Sequence, residues 1–283
     1  MKVILAPRFG FCAGVQNALQ IAESAAQRKG ATFTLGELVH NPQVTDGLVQ
    51  RGILPVDRLD EVKAGIVITR SHGIDPAVIA QGRRRGLTMI DTTCPYVRRA
   101  QRIARQLQEE GYPLVIVGRA DHPEIQALLA HLNQHQVHVA ATAEFCAQLP
   151  PLTRMGVVAQ TTESLDNFSA IVQNLIRAPS CQELRVFDTI CKVVRQRQQD
   201  VKELAHRVDA IIVAGGRHSS NSRKLASLSR SVGVPTYFVE STADLDVRRL
   251  SRYRTVGVTG GTSTPGSTIL AIERMLRSSP ADV

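Results

Sequence analysis

The chain has 283 residues, of which 43% are hydrophobic and 21% are charged. This length and composition suffice for a large buried core and exclude an intrinsically disordered chain. The formal net charge of +9 favours anionic partners. However, only 4% of the residues are aromatic and none is Trp, so we expect no nucleic-acid partner.

Apolar runs alternate with helical periodicity along the chain. Strands are predicted at 2–6, 32–38, 65–70, 87–91, 112–118, 137–141, 155–160, 184–187, 209–216, 235–241 and 255–261. Helices are predicted at 13–30, 41–52, 75–86, 96–111, 192–207, 220–233 and from Ser267 onward, with helical segments separating the strands after 112–118. This alternation is typical of parallel sheets covered by helices on both faces, so the predicted fold class is α/β.

The first residues, MKVILAPRFGFCAGV, contain too short an apolar run for a signal peptide. No segment approaches the roughly 20 apolar residues of a membrane span. Five cysteines without a CxxC pair disfavour a disulfide framework and a zinc ribbon. We therefore expect a cytoplasmic protein with no membrane partner.

Three cysteines follow predicted strands at intervals of about 90 residues, and each directly precedes a helix. They are Cys12, Cys94 and Cys191, and the last two end the related tetrapeptides DTTC and DTIC. Functional groups collect at the carboxyl ends of parallel strands, and three thiolates from three α/β units would suit an iron–sulfur cluster. The alternative is that all three are small buried hydrophobic residues.

Other polar residues also follow strands. Loop histidines, and hydroxyl and amide groups beside two Gly-Gly pairs, can bind an anion such as a diphosphate. These candidates are His40, His72, His122, Ser219, Ser220, Asn221 and Ser263. Glu124 is a candidate proton donor, and Thr161 is a candidate partner for a substrate hydroxyl. The alternative for the serines, the asparagine and Thr161 is that they cap the helices that follow them.

Taken together, these motifs match a known family. In chain order they are GFCAGV, LVHN, SHG, DTTCP, HPE, QTT, DTIC…RQ, SSNS and TSTP, and the match extends from about residue 3 to about residue 272. In this order and spacing the chain resembles the 4-hydroxy-3-methylbut-2-enyl diphosphate reductases, which catalyse the last step of the non-mevalonate isoprenoid pathway.

The resemblance implies an architecture and a cofactor. The fold would be three small parallel-sheet α/β domains in a pseudo-threefold trefoil around a central [4Fe–4S] cluster. The domains would span 13–94, 95–189 and 190–283, joined by an N-terminal strand at 1–12. The cluster ligands would be Cys12, Cys94 and Cys191.

The resemblance also implies a reaction and the residues that serve it. An allylic diphosphate, 4-hydroxy-3-methylbut-2-enyl diphosphate, would be reduced to isopentenyl or dimethylallyl diphosphate with electrons from a ferredoxin or flavodoxin. The diphosphate ligands would be His40, His72, His122, Ser219, Ser220, Asn221 and Ser263. Glu124, Thr161 and His122 would serve catalysis, with Thr161 also contacting the substrate.

The chain departs from the family pattern at two places. Phe9 interrupts the expected motif to give PRFGFCAGV, and ICKVV stands where ICxAT is expected, so that Val193 and Val194 replace an alanine and a threonine. The loss of a threonine hydroxyl near the site leaves an alternative open. The chain would then be a family paralogue that uses the same cluster on a different small substrate.

Overall fold

The structure is a computed structural model that describes residues 1–278. Its strands are β1 (Lys2–Leu5), β2 (Thr32–Leu35), β3 (Ile53–Val56), β4 (Ile66–Ile68), β5 (Thr88–Ile90), β6 (Leu114–Val117), β7 (Val137–Ala140), β8 (Arg154–Ala159), β9 (Glu183–Val186), β10 (Ala210–Ala214), β11 (Thr236–Val239) and β12 (Thr255–Gly260). Its α-helices are α1 (Ala13–Ala26), α2 (Pro42–Val49), α3 (Pro76–Arg84), α4 (Pro95–Glu109), α5 (Pro123–Leu129), α6 (Leu165–Ile176), α7 (Lys192–Ala205), α8 (Ser220–Ser231), α9 (Val247–Leu250) and α10 (Gly266–Ser278). Short 3-10 helices lie at Leu59–Glu61, Gln134–Gln136, Ala143–Gln148 and Thr242–Asp244.

The strands form three four-stranded sheets, and every strand pair is parallel. The strand orders are β3-β2-β4-β5, β7-β6-β8-β9 and β11-β10-β12-β1. The three orders are equivalent if β1 is counted as the fourth strand of the third sheet. The predicted α/β class with three small parallel sheets is confirmed.

By the density of internal contacts the chain divides into two compact units. Unit 1 comprises Met1–Gln16, Val39–Gly47 and the chain from Lys192 onward, and it holds the sheet that contains β1. Unit 2 comprises Asn17–Leu38 and Leu48–Cys191, and it holds the other two sheets. The predicted domain boundaries stay a prediction, and residues 279–283 of the predicted third domain lie outside the described residues.

The sheet of unit 1 is covered on both faces, as its sequence requires. All five residues of β10, AIIVA, are buried. Ile212 and Ala214 pack on the face that α10 covers, whereas Ile211 and Val213 pack on the face that α7 and α8 cover. A continuous apolar run in place of apolar–polar alternation is what a strand between two helical layers needs.

One strand was not predicted. β3 contains Pro55, and Leu54 beside it is 46% exposed, so the segment lacks the apolar pattern of a central strand. Among the described strands it pairs with β2 alone, which places it at a sheet edge, where the missing N–H of a proline is tolerated. The other strands were predicted to within a few residues of their observed limits.

None of the helices in residues 1–278 has both the length and the apolar character needed to cross a bilayer.

Candidate functional site

Each of the three candidate cysteines lies between a sheet-edge strand and a helix. Cys12 follows β1 and precedes α1, Cys94 follows β5 and precedes α4, and Cys191 follows β9 and precedes α7. In every case the cysteine N–H donates to a carbonyl in the loop after the adjacent strand: Cys12 to Thr262 at 3.0 Å, Cys94 to Ser71 at 3.0 Å, and Cys191 to Thr161 at 2.9 Å. The three junctions therefore share one local geometry, which puts each cysteine at a helix N-terminus, where negative charge is stabilised.

The repeated tetrapeptides DTTC and DTIC have the same internal hydrogen bonds. Each aspartate accepts from the backbone N–H two residues later: Asp91 from Thr93 at 2.9 Å and Asp188 from Ile190 at 3.0 Å. Each following threonine ties the turn to the neighbouring strand or the loop after it, because the Thr92 hydroxyl donates to the Thr69 carbonyl and the Thr189 hydroxyl to the Ala159 carbonyl. The aspartate and threonine of the motif thus fix the backbone that carries the cysteine.

Asp91 is the most heavily bonded residue of the first tetrapeptide. Its carboxylate also accepts from the Thr93 hydroxyl at 2.5 Å, from the Thr69 hydroxyl at 3.2 Å and from Arg98 at 3.0 Å. Burial raises the pKa of Asp91, but the hydrogen bonds from Thr93 and the positive charge of Arg98 outweigh it and hold the pKa below its usual value.

We expect Asp91→Asn to destabilise the protein in a pH-dependent way. A carboxyl whose pKa falls on folding stabilises the folded chain above its unfolded pKa of about 3.9, and this contribution is lost as the pH falls through the folded pKa. The apparent Tm of the wild-type protein should therefore exceed that of the variant at neutral pH, and the gap should narrow in acid. Thermal unfolding at a series of pH values measures this Tm difference, with Asp46→Asn, at an exposed position, as a control. A gap that does not change with pH would contradict the assignment.

Cys12 is not part of a DTxC motif, and α7 holds its loop instead. The Arg8 guanidinium pairs with the buried Asp200 carboxylate at 2.6 and 2.8 Å. Arg197, which is 2% exposed, donates to the carbonyls of Gly10 at 2.5 Å and Gly260 at 2.8 Å. Arg197 was not predicted as a site residue, although it is the arginine of the RQ pair in the DTIC…RQ motif. We assign it a positioning role for the Cys12 loop.

The two departures from the family pattern lie in this same region of unit 1. Phe9 packs against the apolar core that α10 covers. Val193 lines a surface cavity together with Cys12, and Val194 is 3% exposed. An apolar side chain in place of threonine is therefore compatible with the buried environment of position 194.

Glu124 and Thr161 form a buried pair in unit 2. The Glu124 carboxylate is 3% exposed and accepts two hydrogen bonds from Thr161, one from the backbone N–H at 2.6 Å and one from the hydroxyl at 2.7 Å. The Thr161 carbonyl accepts from the Cys191 N–H at 2.9 Å. The alternative that Thr161 caps the next helix is wrong, because Ser164 is the residue that caps α6. Successive hydrogen bonds thus link the Glu124 carboxylate, Thr161 and the backbone of Cys191.

His122 caps α5, the helix that carries Glu124. Its Nδ1 accepts from the Glu124 backbone N–H at 3.1 Å, which leaves Nε2 as the nitrogen that bears the proton in the neutral ring. The rings of His72 and His122 meet edge to face with centroids 5.6 Å apart. The structure therefore brings together four of the predicted residues in unit 2, namely His72, His122, Glu124 and Thr161.

The remaining candidates lie in unit 1. Ser219 caps α8, because its hydroxyl accepts from the Ser222 backbone N–H at 3.3 Å, so the capping alternative is confirmed for this residue. Ser220 and Asn221 begin the helix, and both are buried. The Ser263 hydroxyl donates to the His40 carbonyl at 3.4 Å. The Asn221 amide is 2% exposed, and within residues 1–278 neither its nitrogen nor its oxygen has a hydrogen-bond partner.

In each sheet, the glycine that follows one of the two central strands stands four positions before a predicted diphosphate ligand. Gly36, Gly118 and Gly215 directly follow β2, β6 and β10, and each donates its N–H to the last residue of the adjacent strand, at 2.7, 3.0 and 2.9 Å. Four residues later stand His40, His122 and Ser219. The spacing is visible in GELVH, GRADH and GGRHS, but it was not predicted as a repeat.

The second glycine of GGRHS is needed for a close approach of two protein segments. A Cβ on Gly216 would lie 2.5 Å from the His40 carbonyl oxygen. The Gly-Gly pairs were predicted beside an anion-binding site, whereas the structure shows Gly216 against the backbone of another loop of the same unit. The His40 loop can lie beside the start of α8 only because this position lacks a side chain.

We expect Gly216→Ala to destabilise the protein by about 1–3 kcal/mol, since the methyl group must push the His40 loop away. Gly47→Ala is the matched control, because this helical glycine has open space around its Cβ position and alanine is favoured there by roughly 0.5–1 kcal/mol. Denaturant unfolding of both variants measures the difference. Equal stability of the two would show that the His40 loop is not held at this distance.

The two cysteines outside the motifs have different surroundings. Cys146 lies in the 3-10 helix Ala143–Gln148, and burial raises the pKa of its thiol, which disfavours the thiolate that binds metal. Cys181 lies in the loop before β9. Neither residue directly precedes a helix, so neither shares the geometry of the other three cysteines.

Comparisons with known proteins agree with this arrangement. The model of the LytB protein family matches residues 3–277. A 4-hydroxy-3-methylbut-2-enyl diphosphate reductase of Trichlorobacter lovleyi is 43% identical over 265 residues, which are 94% of this chain and 94% of the relative. The solved structure of the E-1-hydroxy-2-methyl-but-2-enyl-4-diphosphate reductase from Plasmodium falciparum is similar with a TM-score of 0.92 and 26% identity, over 99% of this chain and 89% of that chain.

A second solved structure is that of an (E)-4-hydroxy-3-methyl-but-2-enyl diphosphate reductase, the terminal enzyme of the non-mevalonate pathway. It is similar with a TM-score of 0.71 and 35% identity, over 99% of this chain and all of that chain. The family predicted from the motifs is confirmed, and the matches span almost the whole length on both sides. The chain therefore belongs to the LytB protein family.

Proposed function

We propose that the chain catalyses the reductive dehydroxylation of 4-hydroxy-3-methylbut-2-enyl diphosphate to isopentenyl diphosphate and dimethylallyl diphosphate. The reaction consumes two electrons and two protons, breaks the allylic C–O bond and releases water. The observation that carries the proposal is the series of hydrogen bonds from Glu124 through Thr161 to the backbone of Cys191. It connects a buried carboxylate that can transfer a proton to one of the cysteine junctions. The names of the relatives support the same reaction.

The three cysteines fit an iron–sulfur cluster, the cofactor that the family uses. Cys12, Cys94 and Cys191 occupy equivalent junctions, their side chains are half-buried and they form no disulfide in the described part of the chain. Helix N-termini favour the thiolate form that binds iron. We propose that these residues hold a [4Fe–4S] cluster. When bound, such a cluster would pass on the two electrons one at a time and would offer an iron without a protein ligand, which can act as a Lewis acid.

Glu124 and Thr161 are proposed to move the proton. The Thr161 hydroxyl donates to the carboxylate and keeps a lone pair that can accept from a substrate hydroxyl. When Glu124 is protonated, these hydrogen bonds reverse: the Glu124 O–H donates to the Thr161 hydroxyl oxygen, and the Thr161 O–H donates to the leaving oxygen, so that a proton passes along both bonds. The burial of both groups keeps bulk water away from the transfer. His122 is proposed to assist, because its Nε2–H is a donor and its Nδ1 holds the Glu124 backbone.

The diphosphate is proposed to bind to neutral and positively charged donors. In unit 2 these are His72 and His122, whose rings are in contact. In unit 1 they are His40, Ser219, Ser220, Asn221 and Ser263. The buried Asn221 amide at the first turn of α8 is the strongest indication of a ligand there, because buried amides otherwise have partners and helix N-termini attract anions.

The electron donor is proposed to be a ferredoxin or a flavodoxin, and the chain is proposed to function in the cytoplasm. Five cysteines without a disulfide in the described residues are typical of a reducing compartment. The positive net charge suits both an anionic substrate and an acidic electron carrier.

Anaerobic turnover tests the proposal. The protein is purified without oxygen, its iron and sulfide are counted, and it is given the hydroxylated diphosphate with dithionite-reduced methyl viologen. We expect isopentenyl and dimethylallyl diphosphate as products, identified by mass spectrometry. Cluster-loaded protein that converts none of this substrate but reduces another small allylic alcohol would instead support the paralogue that the Val193–Val194 departure leaves open.

A further inference from the structure

Helix α4 presents an exposed surface of four arginines, Arg98, Arg99, Arg102 and Arg105, which we call the arginine surface. The opposite face of the helix is apolar and buried, with Val97, Ala100, Ile103, Ala104 and Leu107. The first acidic residue of the helix is Glu109 in its last turn, four positions after Arg105. The helix is therefore amphipathic, and its outer face carries only positive charge over the roughly two turns from Arg98 to Arg105.

Helix stability does not account for this arrangement. The N-terminus of a helix is its positive end, so arginines in the first two turns are unfavourable there. Like charges three and four residues apart repel, and Arg98, Arg102 and Arg105 have this spacing. Helix α3 shows the opposite case, because Arg83 and Arg84 lie in its last turn, where the helix dipole favours them.

The arginines differ in their contacts. Arg98 bonds to the Asp91 carboxylate at 3.0 Å, and Arg99 bonds to the Asp188 carbonyl at 3.1 Å, so both touch the tetrapeptides that end in cysteines. Within residues 1–278, Arg102 and Arg105 have no hydrogen bond or ion pair. Both line a cavity of about 630 Å³, in which Asp91, already paired with Arg98, is the only carboxylate among the lining residues. Two guanidinium groups are thus available to an outside partner.

The surface lies on the helix that begins directly after Cys94, a proposed cluster ligand. At about 1.5 Å per residue, Arg98 is about 6 Å and Arg105 about 17 Å beyond Cys94 along the helix axis. A protein bound on this face would therefore have its own redox group close to Cys94. The exposed face lacks the large apolar residues with which a helix enters a membrane, and its positive charge is complementary to an acidic protein.

We propose that the arginine surface is the docking site for a small acidic protein that delivers the electrons one at a time. The inference rests on the proposed function. In each encounter the carrier would lose one electron, and the group that Cys12, Cys94 and Cys191 are proposed to hold would accept it. Arg102 and Arg105 attract and orient the carrier, whereas Arg98 and Arg99 also hold the cysteine junctions.

The test compares two charge-reversed variants of the anaerobic holoenzyme. Arg102→Glu/Arg105→Glu alters the docking face, and Arg83→Glu/Arg84→Glu is the matched control with the same change of net charge on α3. An acidic ferredoxin is the probe. Its Kd is measured by fluorescence anisotropy without substrate at low and high salt, and its KM is measured in turnover. Turnover with methyl viologen and the iron content are measured in parallel.

We expect the Kd and the KM for the ferredoxin to rise about tenfold or more in the docking variant at low salt. The control should change them by less than about threefold, because Arg83 and Arg84 do not line the cavity of Arg102 and Arg105 and salt screens charges outside a contact. The salt dependence of binding should also weaken in the docking variant. Turnover with methyl viologen and the iron content should stay near the wild-type values in both.

Two results would overturn the docking site. One is an equal effect of both variants on ferredoxin binding, and the other is tighter binding of duplex DNA than of ferredoxin by the wild-type surface. The proposed function fails in a different way, namely if the iron-loaded wild-type protein turns over with neither reductant. In that case the Kd values still test the docking site by themselves.

Discussion

Cys94→Ser is expected to abolish turnover, because the variant should no longer retain a complete cluster. A serine hydroxyl is a harder and far less acidic ligand than a thiol, so it replaces the soft thiolate poorly at iron. The change is nearly isosteric, and the N–H that donates to the Ser71 carbonyl remains. The junction should therefore keep its fold while the metal is lost.

The other cysteines serve as controls for this prediction. Cys191→Ser should behave like Cys94→Ser, because both residues end the same tetrapeptide motif with the same hydrogen bonds. Cys146→Ser and Cys181→Ser should keep the cluster, since these residues lack that geometry. Iron and sulfide per chain, and the visible absorption of anaerobically purified protein, provide the measurement. A Cys94→Ser protein with the full complement of iron and sulfide would remove Cys94 from the ligand set.

Glu124→Gln is expected to lower turnover by about 10²–10⁴-fold with little change in affinity for the diphosphate. Glutamine has the shape of the carboxyl group and can still accept the Thr161 backbone N–H, so the buried site should keep its structure. It cannot deliver a proton to the leaving oxygen. A rapid-quench experiment on the reduced enzyme should show slow release of water and product while the substrate remains bound.

Thr161 variants separate proton transfer from structural support. Thr161→Val removes the hydroxyl that donates to Glu124 but keeps the backbone bonds to Glu124 and Cys191, so it should also be slow. Thr161→Ser restores a hydroxyl at the same atom position and should recover most of the rate. If Glu124→Gln turned over at the wild-type rate, or if Thr161→Ser were as slow as Thr161→Val, the proposed proton path would be wrong.

The parts of the fold that sequence patterns predicted are those with strong local signals. The apolar run AIIVA at 210–214 predicts a strand buried on both faces, and the structure shows helices on both. The cysteines at strand ends and the family were predicted because their motifs are contiguous. β3 was missed, since an edge strand with Pro55 and an exposed Leu54 does not have a buried strand's pattern.

The site was less predictable, because its contacts join residues that are distant in sequence. The bond between Glu124 and Thr161 spans 37 positions, and the bond between Arg197 and Gly10 spans 187. No local pattern specifies either contact. The glycine four residues before His40, His122 and Ser219 was readable in principle, but its meaning depends on the equivalent order of the three sheets. Whether Thr161 caps α6 could be decided only from the structure, in which Ser164 is the cap.

Mössbauer spectroscopy of anaerobically purified, iron-57-labelled protein tests the central assignment most directly. If three cysteines hold a [4Fe–4S] cluster, three iron sites should have similar parameters and one should differ. The Mössbauer parameters of the distinct site alone should change when the hydroxylated diphosphate is added, and the same change should occur in Glu124→Gln. Four indistinguishable irons that do not respond to the diphosphate, or protein that binds no iron under these conditions, would contradict the account.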